Sequence, residues 1–231
     1  MDGYDLIIPV FKEKNIINLI DYLFKNSKNF SNIIICYDDD NDLSVKIIKK
    51  YNYNNHKNII LLKNKSKGPC EAVKTGLNFS TAKSMIVYPA DDFNNGPILD
   101  KMYSYFLDGY DIVCPSRFIN GGYIKNCPLV KYFIVRSVSF FLYYFSNLNV
   151  KDPTNGFRLF SKKLIENNNI DSTKGFAYSL ELLIKARFFD KKIIEIPAIW
   201  IERKDRKSSF KIIEWSGEYL KWFFLAILKK Y

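Results

Sequence analysis

The chain has 231 residues, 48% of them hydrophobic, which is enough to bury one large core and suits one domain better than two. Lys and Arg number 35 against 24 Asp and Glu, a net +11 that favours polyanionic partners such as nucleic acid, nucleotide phosphates or an anionic membrane surface. No apolar stretch reaches the ~18–20 residues that span a bilayer, the first residues lack the basic-then-apolar order of a signal peptide, and the four cysteines form no CxxC pair. The body of the protein is therefore expected in the cytoplasm, with reduced core thiols rather than disulfides or a cysteine metal site.

Residues 4–9 read as a short buried strand, and residues 13–25 carry apolar side chains at a helical period. The theme repeats. Residues 32–37 are β-branched and apolar, the acidic run Asp38-Asp39-Asp40-Asn41-Asp42 follows, and a helix continues through Val45, Ile47 and Ile48. A third strand over 58–62 leads to a third helix over 69–79 with Pro69 in its first turn, then a fourth strand over 84–88. Strands alternating with helices predict βαβ units and a mainly parallel sheet covered on both faces. Ligands of such sheets bind beyond the carboxyl ends of the strands, so Phe11 to Glu13, Asp38 to Asp42, Asn64 to Gly68 and Asp91-Asp92 should converge on one edge.

After the strand over 111–115 the pattern changes. Residues 130–148 predict a long aromatic helix, 152–160 a polar turn entering a strand, 178–188 a helix and 193–201 a strand. Residues 210–231 have a helical period and are unusually apolar over 222–228, with Lys221, Lys229 and Lys230 as flanks. No repeat, low-complexity linker or domain boundary is visible.

Asp91-Asp92 ends an apolar strand and precedes a turn of Asn, Gly and Pro. Such a pair either holds a divalent cation or does acid and base work; alone, it would more often cap a turn and be solvated. Its company decides. Ile8-Pro9-Val10-Phe11-Lys12-Glu13, Tyr37-Asp38 with Asp42, the run from Asn64 to Gly76, and Ala90-Asp91-Asp92 resemble the successive nucleotide-sugar motifs of family 2 glycosyltransferases with the GT-A fold. Pro115-Ser116-Arg117, the run from Asp152 to Phe160, Glu195-Ile196-Pro197, and Arg203 followed by Ser208-Ser209 resemble the dolichol-phosphate mannose synthase branch.

The resemblance covers nearly the whole chain. It implies a single α/β GT-A domain over 1–231 with a mainly parallel central sheet, flanking helices and C-terminal amphipathic helices. Residues 1–117 would form the nucleotide-sugar half and 118–231 the acceptor half with interfacial helices. Pro9, Phe11 and Glu13 would frame the nucleoside, Asp38 the base, and Lys67 with Gly68 the ribose and phosphate, while Asp42 either joins them or caps its helix. Asp91 matches the carboxylate that binds Mg²⁺ or Mn²⁺, and Asp92 would ligate beside it, support it or contact the sugar. Pro89 stands where the family's motif has its first Asp.

The reaction so implied is inverting transfer of a sugar from a GDP- or UDP-sugar, with Arg117 and Arg203 stabilising the leaving diphosphate. A saccharide hydroxyl acceptor would need a base, for which Glu181 is the candidate. A polyprenyl phosphate needs cations instead. Asn155, Gly156, Arg158 and Ser208 fall in the acceptor motifs, with Lys207 and Lys211 as further cations. The aromatic helices, flanked by lysine, match helices lying in a membrane interface, so peripheral attachment is expected. Two rival classes remain: a nucleotidyltransferase, which lacks its Gly-rich signature here, and a non-enzymatic nucleic-acid-binding module, which the acidic rim disfavours. Nucleic acid is not an expected partner.

Overall fold

The computed structural model describes residues 3–53, 56, 58–202 and 212–228. Five apolar runs become the parallel strands β1 (Tyr4–Pro9), β2 (Phe30–Tyr37), β3 (Ile59–Lys63), β4 (Ser84–Val87) and β5 (Ile112–Ser116). Between them lie α1 (Ile16–Asn26), α2 (Leu43–Lys50), α3 (Pro69–Phe79) and α4 (Leu99–Leu107). Beyond β5 come β6 (Tyr123–Lys125), α5 (Leu129–Phe145), β7 (Arg158–Ser161), α6 (Lys162–Glu166), α7 (Ala177–Phe188), β8 (Ile193–Pro197), β9 (Ile199–Ile201) and α8 (Ile212–Leu228).

The main sheet has the order β3-β2-β1-β4-β7-β5-β8. Only β7 runs antiparallel to its neighbours, with Arg158 opposite Val87 and Phe160 opposite Ile112. Its amino end therefore meets the carboxyl ends of the other six strands. That reversal brings the 152–157 turn to the edge that carries Pro9, Asp38, Asn64 and Asp91.

Alternation along β1 and β2 splits the core. Leu6, Ile8, Ile33 and Ile35 face α1, α2 and α4; Ile7, Ile34 and Cys36 face α3, α7 and α8. Both faces are dry, which is why these strands read as continuous apolar runs. Against the second face, α3 lies so close to β1 and β2 that a Cβ on Gly76 would stand 2.5 Å from Ile7 Cγ2 and 2.9 Å from Cys36 Sγ. Gly76→Ala should cost about 1–3 kcal/mol, because overpacking a β-branched wall outweighs the helix propensity gained. Urea denaturation measures it, and an unchanged midpoint would contradict the close approach.

The strand expected over 193–201 is broken. Pro197 ends β8, the Ala198 amide donates to the Ser116 carbonyl at 2.9 Å, and β9 leaves the sheet to pair in parallel with β6, Ile199 opposite Tyr123. β8 is the sheet's edge strand, where proline is tolerated because one side lacks a partner.

The aromatic helix forms as expected, at Leu129–Phe145, yet of its seventeen residues only Ser139 and Leu142 are buried. Leu129, Val130, Phe133, Phe140, Tyr144 and Phe145 are all more than half exposed, and α5 contains no Asp or Glu. α8 docks through Trp215, packed over Gly175 and Phe176, and through Trp222, whose indole N–H donates to Ser172 Oγ at 2.9 Å. Among the described residues, no helix is long and apolar enough to cross a membrane. The four cysteines are free, and burial pushes the thiols of Cys36, Cys70 and Cys114 up to about 12, so these three stay protonated core side chains near neutrality.

Candidate active site

Each rim loop is set by a local device. After β1, Lys12 adopts φ 53° and its amide donates to Asp42 Oδ2 at 2.8 Å. Asp42 Oδ1 meanwhile accepts from the Ser44 amide at 2.8 Å, which makes Asp42 the cap of α2. Phe11 is left 61% exposed beside half-buried Pro9, whereas Glu13 turns inward, its Oε1 accepting from the Asn15 amide at 3.1 Å. Pro9 and Phe11 thus stand on the rim and Glu13 braces it from beneath.

Asp38, just past β2, binds the loop after β3. Its Oδ1 accepts from Asn64 Nδ2 at 2.8 Å and its Oδ2 from the Gly68 amide at 3.0 Å. Gly68 sits at φ 113°, a conformation that side chains resist, and there it opens α3; Lys67 beside it is exposed. Asn64 itself is buried, and its Oδ1 has no hydrogen-bond partner among the described residues. The β2 and β3 rims are one connected unit.

At the end of β4 the two carboxylates part company. Asp91 is half-buried at the rim, while Asp92 is 3% exposed. Asp92 Oδ1 accepts from the amides of Asn94 (2.8 Å) and Asn95 (3.1 Å), and its Oδ2 accepts from Asn95 Nδ2 (2.6 Å). Burial raises its carboxyl above the usual range, against the pull of those hydrogen bonds. Of the roles expected for Asp92, as ligand, as support or as sugar contact, its hydrogen bonds match the supporting one: its oxygens build the turn that presents Asp91. Among the described residues no group of three His, Cys, Asp or Glu gathers into a metal cage. One rim carboxylate still suits Mg²⁺ or Mn²⁺, which take one or two protein carboxylates and fill the shell with phosphate oxygens and water.

Past β5, Arg117 forms a two-pronged pair with Asp152: Nε to Oδ2 at 2.6 Å and Nη2 to Oδ1 at 2.7 Å, with the Arg117 amide also on Oδ2 at 2.9 Å. Burial would lower the Arg117 guanidinium, but Asp152 holds it above its ordinary value. Phe118 lies between two cations, the Arg117 guanidinium 5.4 Å and that of Arg136 on α5 4.6 Å from its ring centre. Sequence reasoning missed Arg136 and gave Asp152 no role. The available signal was an arginine one and a half turns beyond Lys131 in a helix without a single acid.

The 152–157 turn is tied down by hydrogen bonds. Asn155 Nδ2 donates to the Pro115 carbonyl at 2.8 Å, Ser179 Oγ donates to the Asn155 carbonyl at 2.8 Å, and Tyr178 OH donates to the Gly156 carbonyl at 2.8 Å. Asn155 and Gly156 stay half-buried at the edge. Arg158 does not: it is fully buried, donating to the carbonyls of Ser179 (2.8 Å), Pro153 (2.7 Å) and Asp152 (3.2 Å). Its expected acceptor contact gives way to a structural one, holding the turn against α7. Glu181 is likewise fully buried, accepting from the amides of Asp171 (2.6 Å) and Ser172 (2.8 Å) and from Lys185 Nζ (2.6 Å). Its carboxylate is engaged by the fold, on the segment before α7 and on Lys185. Arg203 and Ser208, with Lys207 and Lys211, lie outside the described residues.

Residues 5–168 match the family model described as Glycosyl transferase family 2. The chain is 23% identical over 234 residues to a protein named dolichol-phosphate mannosyltransferase from Pyrococcus furiosus, an alignment covering 92% of this chain and 64% of that one. It is 22% identical over 119 residues to one named polyprenol monophosphomannose synthase from Mycolicibacterium smegmatis, covering 46% of this chain and 45% of that one. The chain thus spans less than two thirds of the length of either relative. Among solved structures, glucosyl-3-phosphoglycerate synthase from Mycobacterium tuberculosis, in complex with Mn²⁺, UDP-glucose and phosphoglyceric acid, superposes with a TM-score of 0.74 at 12% identity over 100% of this chain and 81% of that one. That likeness is one of fold.

Proposed function

The chain belongs to glycosyl transferase family 2, a glycosyltransferase of GT-A fold, and we propose that it moves a sugar from a nucleotide-diphosphate sugar to a polyprenyl phosphate at a membrane surface. Residues 1–117 form the donor half. Pro9, Phe11 and the joined Asp38 to Gly68 rim receive the nucleoside, and Asp91 would hold Mg²⁺ or Mn²⁺ against the diphosphate. When bound, that ion supplies positive charge to the leaving group.

The observation that carries the acceptor reading is Arg136, exposed on α5 over the ring of Phe118 beside the Arg117–Asp152 pair, together with the enclosure of Glu181, the base that the sequence offers. Glu181, the residue a hydroxyl acceptor would need, is enclosed by three donors. Arg117 and Arg136 instead share one aromatic ring at the mouth of an acid-free, exposed aromatic helix. A phosphate monoester is already ionised, so its oxygen attacks the anomeric carbon while the bond to the diphosphate breaks, and no proton has to move. Asn155 and Gly156 shape the acceptor half. The exposed aromatic face of α5 with Arg136, and Phe224 of α8 beside Lys221, suit the headgroup boundary of a bilayer.

Arg136→Ala should raise the KM for a short polyprenyl phosphate about tenfold or more, since hydrogen bonds to charged groups contribute ~1.5–3 kcal/mol. The KM for the donor should stay unchanged; equal rises in both would remove Arg136 from the acceptor. The function itself is tested by a screen of UDP- and GDP-sugars with Mn²⁺, reading nucleotide release with and without farnesyl phosphate. Release that depends on the lipid phosphate supports the reading. Release driven by phosphoglyceric acid instead overturns the acceptor, and no release with any donor overturns the whole.

A further inference from the structure

The turn that presents Asp91 is not held by its own strand alone. Asn95 is 3% exposed, and its side chain makes three hydrogen bonds, with both amide donors used. Nδ2 donates to Asp92 Oδ2 at 2.6 Å and to the Ile199 carbonyl at 2.7 Å, while Oδ1 accepts from the Ile199 amide at 3.0 Å. The amide thus copies a strand neighbour of β9, from a position 104 residues earlier in the chain.

β9 leads on to the cations. Glu202, directly after it, receives Lys131 Nζ of α5 at 2.8 Å and 2.9 Å and the Trp200 indole N–H at 2.9 Å. Its own amide donates to the Lys125 carbonyl at 3.0 Å, closing the β6–β9 ribbon. One continuous path therefore runs from the Asp91 turn through Asn95 and β9 to α5, which bears Arg136.

We propose that Asn95 is a positioning residue that fixes the distance between the donor's diphosphate at Asp91 and the acceptor's phosphate at α5; this rests on the transfer reaction proposed above. Its partners favour a fold that survives its loss. The Gly96 amide still donates to Tyr22 OH at 3.0 Å, and Asp92 still receives the Asn94 amide. What is lost is register between two substrates, and misplacement of about 1 Å can cost about a hundredfold in rate.

The test compares two reactions of one enzyme. Transfer to farnesyl phosphate needs both halves in register; slow hydrolysis of the nucleotide sugar by water needs only the donor half. Asn95→Ala should lower kcat for transfer by about tenfold or more with the donor KM and the hydrolysis rate unchanged. Glu202→Gln, which loosens Lys131 of α5 at the other end of the path and leaves the Asp91 turn untouched, should give the same split by another route. Parallel loss of transfer and hydrolysis, or no loss of either, overturns the proposal, as does misfolding of both variants, which would make the path a determinant of the fold. A wild-type enzyme that hydrolyses donor but transfers nothing to lipid phosphate overturns the acceptor reading itself, a result distinct from a wild type that transfers and an Asn95→Ala variant that keeps pace with it.

Discussion

Asp91→Asn should lower sugar transfer by about a thousandfold, a loss of ~4 kcal/mol in transition-state stabilisation, while leaving the fold intact. A motif with two alternating carboxylates would present two acidic groups here; this chain has one of them. Pro89 occupies the first position without an acidic group, and Asp92 spends both oxygens on the amides and side chain of its own turn. The whole carboxylate contribution at the end of β4 then falls on Asp91. Asn has the same shape but no charge, and a neutral amide oxygen is a weaker partner for a hard divalent cation facing a diphosphate. Nucleotide release gives the rate, and thermal melting with UDP or GDP gives binding: Mn²⁺-dependent stabilisation should vanish in the variant while the unliganded midpoint stays put. Full activity in Asp91→Asn would dismiss the metal assignment.

How far the sequence foretold this arrangement depended on what each residue had to know. The alternation of β-branched runs with helical periods is local, and it delivered the parallel sheet and the rim of Pro9, Asp38, Asn64 and Asp91. Direction is not local: nothing in Arg-Leu-Phe-Ser announces that β7 enters between β4 and β5 head-down, so the 152–157 turn arrives at the edge by tertiary pairing. The same limit governed the polar residues. Arg158 and Glu181 carry groups that a ligand or the fold could equally employ, and the choice was made by partners further along the chain, the Ser179 carbonyl for Arg158 and the amides of Asp171 and Ser172 for Glu181, whereas Asp92 takes its partners from its own turn, at Asn94 and Asn95. Asp42 was legible as a cap because its partner, the Ser44 amide, is two residues away. Arg136 was hidden by its aromatic neighbours, and the ring of Phe118, distant in sequence, joins it to Arg117.

Asp152→Ala should have the opposite profile from Asp91→Asn, a loss of about 3–5 kcal/mol in stability. The carboxylate is fully buried and takes three donors from Arg117, whose side chain is itself only 12% exposed. Removing it leaves the guanidinium to Thr154 Oγ1 at 3.3 Å and the face of Phe118, too little to replace water and an anion together. The turn is not freed at the same time, since Glu195 still holds the amides of Lys151 and Asp152 at 2.9 Å and 3.0 Å. The cost is therefore one of uncompensated charge rather than of a lost loop, and Asp152→Asn, which keeps a hydrogen-bond acceptor for Arg117, should recover part of it. For a chain of this size the midpoint of thermal unfolding should fall by roughly 10 °C. A fall below ~1 kcal/mol would mean that solvent screens the pair as it does at a surface, and that Arg117 is held for its charge at the rim and not for the fold.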